Sequence, residues 1–188
     1  IGTDFASAGV GARFHRGFVG ALAEIWDPLF GALQQAWETS ERPVWVTGHS
    51  LGGALALLAA WRLQRQFIRQ FIPVHEVVTL GAPMVGNAAA VHAFQREFPG
   101  KIFRYVNIED PVPLLPMVSL IANSYAHCLN EVRLQGANPK AVAHALGKLG
   151  QTAVEGLLSA SLADEVWGLV KQRIDAHLLP DYNKRLIG

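Results

Sequence analysis

A chain of 188 residues, 51% hydrophobic and 16% charged, has the apolar content of one folded domain, which excludes intrinsic disorder. Its formal net charge of +1, with no run of five or six like charges, excludes a nucleic-acid groove and a polybasic membrane patch. The positive mean hydropathy fits a large core, or else some exposed apolar surface such as a lipid-facing site. Cys128 is the single cysteine, so no internal disulfide forms and nothing points to an oxidising compartment. No apolar run reaches the roughly 18 residues of a membrane-spanning helix, and no leader pattern is present. A chain opening on Ile1 without Met predicts a mature, cleaved or truncated product, which leaves the compartment open.

Residues 1–13, rich in Gly and Ala, predict a loop or ragged end. Over 18–38, Leu22, Ile25, Trp26, Leu29, Phe30, Leu33 and Trp37 recur at helical spacing, and Pro28 predicts a bend or a division of that helix. After a break at 40–43, Val44-Trp45-Val46-Thr47 reads as a short buried strand and 51–70 as a second apolar helix. A strand over 77–80 leads into Gly81-Ala82-Pro83, a helix covers 88–98, and a third strand at 101–107 runs into Glu109-Asp110-Pro111. One further strand fits 128–134. The Ala- and Leu-rich stretch 141–171 predicts helix interrupted by Gly147, Gly150, Gly156 and Gly168, with Lys148, Gln151 and Glu155 arguing against a membrane span. Short apolar strands alternating with longer helices predict an α/β architecture in one domain over 1–188, a mostly parallel sheet covered by helices.

Gly48-His49-Ser50-Leu51-Gly52 is a Gly-x-Ser-x-Gly motif between a predicted strand and a predicted helix, the context in which it forms a tight turn carrying a nucleophile. The competing account is a Gly-rich strand-to-helix turn with a capping serine. Glycines two positions either side of Ser50 are expected because side chains there would meet neighbouring backbone. Such a turn lifts the Ser50 hydroxyl clear of the sheet and aims the Leu51 N–H, at the helix start, towards an oxyanion. A serine hydroxyl needs a general base, and the base needs a third group to orient it. In folds with this turn, the acid and then the histidine follow the nucleophile along the chain. Asp110 stands just past a strand and is held extended or in a turn by Pro111, with Glu109 as its local competitor. Among the later histidines, His177 before Pro180 suits the order best; His127 lies beside a strand and His144 on an Ala-rich helix face. His49 is expected to point away from the site and brace the turn, while His15, His75 and His92 precede any position for the base. No Cys/His cluster has metal-ligand spacing, so neither a metal nor an organic cofactor is expected.

Taken in order, these blocks resemble the class 3 lipases, the family that includes filamentous-fungal triacylglycerol lipases. His15-Arg16-Gly17-Phe18 is similar to the family's His-x-Gly-Phe segment, and the stretch from Val46 to Ala56 resembles its nucleophile block. Gly81-Ala82-Pro83-Met84-Val85-Gly86-Asn87 is similar to its strand-end block, and Asn107 to Pro116 to the segment that carries the aspartate. Tyr125-Ala126-His127 resembles a segment whose histidine is non-catalytic, and His177 with Tyr182 a terminal His-x-x-x-x-Tyr. The resemblance implies an α/β-hydrolase fold, hydrolysis of carboxylic esters such as acylglycerols, and a catalytic triad of Ser50, Asp110 and His177.

The departures lie at the start. Family members carry several strands before the His-x-Gly-Phe segment, one of which ends in a Ser or Thr that supplies the second oxyanion donor, usually followed by a lid helix. Only fourteen residues precede His15, so either Thr3 is that donor or, as favoured here, the donor strand is missing along with the other leading strands. Loss of one donor costs about 2.7–4 kcal/mol of transition-state stabilisation, and an uncovered sheet edge invites association with another strand. Leu114, Leu115, Met117, Val118, Leu120 and Ile121 are candidates to line an acyl site, against plain core packing, and the 141–171 helices are a candidate cover. The expected partners are a lipid or other ester substrate, with contact at a lipid interface. The alternatives are a phospholipase, a short-chain esterase, or a catalytically silent hydrolase-fold protein that binds lipid or a partner.

Overall fold

The computed structural model describes residues 5–40, 42–66, 74–114, 125–128, 130–134, 171 and 173–187. Helix α1 (Arg16–Thr39) is followed by β1 (Val44–His49), α2 (Leu51–Gln66) and β2 (Val74–Leu80). Then come β3 (Gly86–Asn87), α3 (Ala88–Glu97), β4 (Ile102–Asn107), a 3-10 turn at Val112–Leu114, β5 (Tyr125–Ala126) and β6 (Glu131–Leu134). Two short helices, α4 (Ile174–His177) and α5 (Leu179–Ile187), end the chain. The strands β1, β2, β4 and β6 form a parallel sheet in the order β1-β2-β4-β6, and β3 pairs with β5 antiparallel. The expected parallel, helix-covered α/β sheet is what forms.

Helix α2 lies directly on β1 and β2, and its sequence explains why it can. Gly53, Ala54, Ala56, Ala59 and Ala60 are small enough for close approach, and Leu57, Leu58, Trp61 and Leu63 fill the space between. A helix buried on most of its circumference needs little polar face. Helix α1 covers it from outside through Leu22 and Trp26, whose indole N–H donates to Gln66 Oε1 at 3.1 Å while Arg62 lies 4.3 Å over the ring.

Pro28 neither divides nor ends α1, which runs unbroken for 24 residues. Pro28 and Glu24 are both exposed, so the Glu24 carbonyl left without its helical donor faces water. The 5–14 stretch is also more ordered than a ragged end. Phe5 and Ala8 are buried in the core, and Phe5 packs 4.9 Å from Phe14, which in turn meets Trp61 and Phe94. Asn87 ties this segment down: its Oδ1 accepts from Arg13 N–H at 3.0 Å and from Ala90 N–H at 3.1 Å, capping α3.

Among the described residues, β1 has one neighbouring strand, β2, and Trp45 on it is 58% exposed. Between β4 and β6 the sheet buries a charge. Arg104, 3% exposed, donates to the Cys128 carbonyl at 3.0 Å and to Glu131 at 3.2 Å, which offsets its desolvation.

Candidate active site

Ser50 occupies the turn between β1 and α2 with φ +57°, a left-handed conformation that costs a non-glycine residue free energy and persists only when its surroundings enforce it. The enforcement is visible. Ser50 N–H donates to the Leu80 carbonyl at the end of β2 (2.9 Å), and the Ser50 carbonyl accepts from Gly53 N–H (2.9 Å). A Cβ on Gly48 would fall on the Gly52 carbonyl, as expected. The second steric requirement is not at Gly52, where a Cβ meets nothing within 4 Å, but at Gly53, where it would stand 2.7 Å from Ala82 Cβ and 2.9 Å from the Gly48 carbonyl. Gly52 lies on the exposed side of α2 and Gly53 on the side facing the sheet. Gly52→Ala should therefore leave stability unchanged or raise it by about 0.5–1 kcal/mol, whereas Gly53→Ala should cost about 1–3 kcal/mol by overpacking. Thermal melts of the two variants, falling in that order, check the assignment.

Asp110 is reached three residues beyond β4 and is 2% exposed. Its N–H donates to the Asn107 carbonyl (3.0 Å), and its Oδ1 accepts from Val112 N–H (2.9 Å), which fixes the carboxylate plane. Oδ2 accepts twice, from His177 Nδ1–H at 2.8 Å and from the Tyr182 hydroxyl at 2.7 Å. On the other side of the ring, His177 Nε2 accepts from Ser50 Oγ–H at 2.7 Å. Ser50, Asp110 and His177, the first and last of them 127 positions apart in the chain, thus share one continuous run of hydrogen bonds. Glu109 turns instead to Arg185, 2.8 Å away. Leu51 opens α2, so its N–H has no acceptor within the helix.

Three residues of this site escaped the sequence reading of roles. Tyr182 is completely buried; its hydroxyl accepts from Asn107 N–H at 3.1 Å while donating to Asp110. Burial, reinforced by the Asp110 charge, holds its phenol well above the usual value, so it stays a donor. Gly81, at φ +59°, makes room for this pair, since a Cβ there would lie 2.7 Å from Asp110 Oδ2 and 2.8 Å from the Tyr182 hydroxyl. Asn107 has no sequence signal beyond its place at a strand end, yet it bonds to the backbone and side chains of the C-terminal helices.

His49 does not point away from the site. Its ring lies 4.7 Å from that of His177 and its Nε2–H donates to the His177 carbonyl at 2.6 Å, because the turn that carries His177 packs against the end of β1. The remaining histidines stand elsewhere: His15 against Phe18, His75 against Trp45, His92 beside Gln95. Thr3, His144, Leu115, Met117, Val118, Leu120, Ile121 and nearly all of 141–171 lie outside the described residues, while Leu114 closes the 3-10 turn. Among the described residues, no group of three or more His, Cys, Asp or Glu could hold a metal ion, and no helix is long and apolar enough to cross a membrane.

His127 serves the loop that follows the acid, donating from Nε2 to the Pro113 carbonyl at 2.5 Å. Burial, then the nearby Arg104 charge, pushes its pKa down to about 4. The unfolded chain takes up a proton at this imidazole near pH 6.5, the folded chain only near pH 4. Stability is then full above that window and lost as pH falls through it, by up to about 3 kcal/mol. His127→Gln, which keeps a donor for Pro113 and does not titrate, should flatten the dependence of Tm on pH between those values.

The family model for "Lipase (class 3)" matches residues 2–120. The chain belongs to the class 3 lipase family. This class 3 lipase chain is 33% identical over 129 residues to a secreted mono- and diacylglycerol lipase of Gibberella zeae, an alignment covering 68% of the chain and 39% of that protein. It is 40% identical over 100 residues to the chloroplastic phospholipase A1-Igamma2 of Arabidopsis thaliana, covering 50% of the chain and 18% of that protein. The solved structure of a lipase from Rhizopus microsporus var. chinensis superposes with a TM-score of 0.60 at 30% identity, over 70% of the chain and 45% of that structure. The α/β-hydrolase fold is shared, and the chain spans less than half the length of each of these relatives.

Proposed function

We propose that this chain carries the catalytic machinery of a serine carboxylic-ester hydrolase that acts on acylglycerols through an acyl-enzyme. The single observation that carries the reading is the hydrogen-bond run from Ser50 Oγ through His177 to Asp110. In the first half-reaction, His177 Nε2 takes the Ser50 proton as Oγ attacks the ester carbonyl carbon. Asp110 keeps the other ring proton on Nδ1 and stabilises the imidazolium. The Leu51 N–H receives the oxyanion. The ester C–O bond then breaks, and His177 returns its proton to the departing alcohol. In the second half-reaction His177 deprotonates a water, which releases the carboxylic acid and restores Ser50. An apolar substrate is supported by the side chains beside the reacting groups: Leu51, Leu178 and Leu179 are each more than 40% exposed.

A phospholipase reading has its own support in the Arabidopsis thaliana match. Fatty-acid release from dioleoylglycerol and from phosphatidylcholine vesicles separates the two, the faster substrate deciding. The hydrolase reading itself is tested with p-nitrophenyl butyrate and palmitate, acid-quenched during the burst. An acyl group mapped by mass spectrometry to the peptide containing Ser50 is expected. Turnover with the acyl group on another residue, or no burst from either ester, would overturn it.

A further inference from the structure

Helix α4 is a single turn, too short to hold its own orientation, yet it carries His177. The last carbonyls of a helix have no partner within it. Here those of Ile174 and Asp175 accept from Leu178 N–H, at 3.1 and 3.2 Å. The next two are met by side chains from distant parts of the sequence. The Ala176 carbonyl accepts from Asn107 Nδ2–H at 2.8 Å, and the His177 carbonyl from His49 Nε2–H at 2.6 Å. Because a carbonyl oxygen only accepts, the hydrogen of the His49 ring is on Nε2.

The two donors are the last residues of β4 and β1. One residue beyond His49 is Ser50, and three beyond Asn107 is Asp110. The sheet fixes the offset of those strand ends: His49 pairs in register with Leu80 and Leu80 with Tyr105, so β4 runs two residues further, to Asn107. Asn107, fully buried, is held in turn by Glu109 N–H on its Oδ1 and by Asp181 on its second amide hydrogen.

We propose that His49 and Asn107 are positioning residues: they cap consecutive carbonyls of the histidine-bearing turn and so transfer the register of β1 and β4 to the His177 imidazole. The inference rests on the hydrolase reading above for its kinetic consequence, and on geometry alone for the orientation of the ring. His49 presents its N–H on a short arm fixed by the strand; the task is donation, and the ring's basicity has no part in it.

The test pairs two substitutions. His49→Phe keeps a ring of similar size and removes the donor; His49→Gln removes the ring and keeps an amide donor. The probe is a p-nitrophenyl alkylphosphonate, whose phosphorus takes the Ser50 oxygen as p-nitrophenolate leaves, one equivalent per site. The maximal inactivation rate should fall about 10- to 100-fold in His49→Phe, the scale expected for a misplacement of about 1 Å, with the half-saturating concentration unchanged. Asn107→Ala should show the same split, and His49→Gln should stay within about threefold of the wild type, as a retained hydrogen bond requires. In parallel, the downfield proton resonance of His177 Nδ1–H, bonded to Asp110, should persist in His49→Gln and broaden or shift in the other two.

Equal rates and an unchanged resonance in all variants would overturn the proposal and leave the hydrolase reading standing. Equal losses in His49→Phe and His49→Gln would also overturn it, by showing that the ring and not the donor matters. Where circular dichroism shows His49→Phe unfolded, His49→Gln decides, since a tenfold loss with the donor present contradicts the proposal. A wild-type protein that never labels at Ser50 would sink the hydrolase reading instead, and the Nδ1–H resonance would still decide the positioning of His177.

Discussion

Ser50→Ala and His177→Ala are each expected to lower kcat about 10⁶-fold, with the double variant no slower than either. In the mechanism proposed above, nucleophile and base act as one unit. The Ser50 hydroxyl reaches His177 Nε2 at 2.7 Å, and neither group has a substitute within the site as described. Among the described residues, the imidazole beside His177, that of His49, has its Nε2–H committed to the His177 carbonyl. Removing either member abolishes the proton transfer, and removing the second takes away nothing further. Initial rates on p-nitrophenyl butyrate for the two single variants and the double variant make the comparison. Losses that multiply, so that the double variant is far slower than both singles, would mean that the two residues contribute separately.

Asp110→Asn should lower kcat about 10⁴-fold, the scale seen when the orienting carboxylate of a triad becomes an amide. The site gives a specific reason. Oδ2 accepts from His177 Nδ1–H and from the Tyr182 hydroxyl, while Oδ1 accepts from Val112 N–H. A carboxylate satisfies all three donors. An amide has one oxygen, and whichever way it turns, its NH₂ faces at least one donor. If the oxygen serves His177 and Tyr182, the amide meets Val112 N–H; if it serves Val112, His177 loses its partner and favours the wrong tautomer. An unsatisfied buried group costs about 1–3 kcal/mol, so Tm should fall as well. Activity within tenfold of the wild type would show that Asp110 does not orient the base.

Local pattern is why so much of the architecture was legible. The strands read at 44–47, 77–80 and 101–107 are rich in β-branched and apolar residues, with the first running on to His49 and the second starting earlier, at Val74, and α2 and α3 follow from helical spacing after them. Pro28 does not divide the helix, because a proline's effect depends on what faces the freed carbonyl. Glu24 is exposed, and packing of Leu22 and Trp26 on α2 holds the helix together. The Gly- and Ala-rich opening is largely turn and loop over 5–13, as read, but its composition does not show that it packs, since Phe5 finds Phe14 and the core only after the chain has folded.

The site divides along the same line. By itself the sequence determined the strand, turn and helix around Ser50 and pointed to Asp110 and His177 as its proposed partners, because each reading rests on residues close in the chain or on the order in which a parallel sheet is wound. Tertiary structure alone decided that Gly53 rather than Gly52 is sterically required, that His49 faces His177, and that Gly81, Asn107 and Tyr182 surround the carboxylate. The His49–His177 and Asp110–Tyr182 bonds join residues 128 and 72 positions apart. No periodicity spans such distances; a hydrogen bond does, once the sheet has fixed its strand ends side by side.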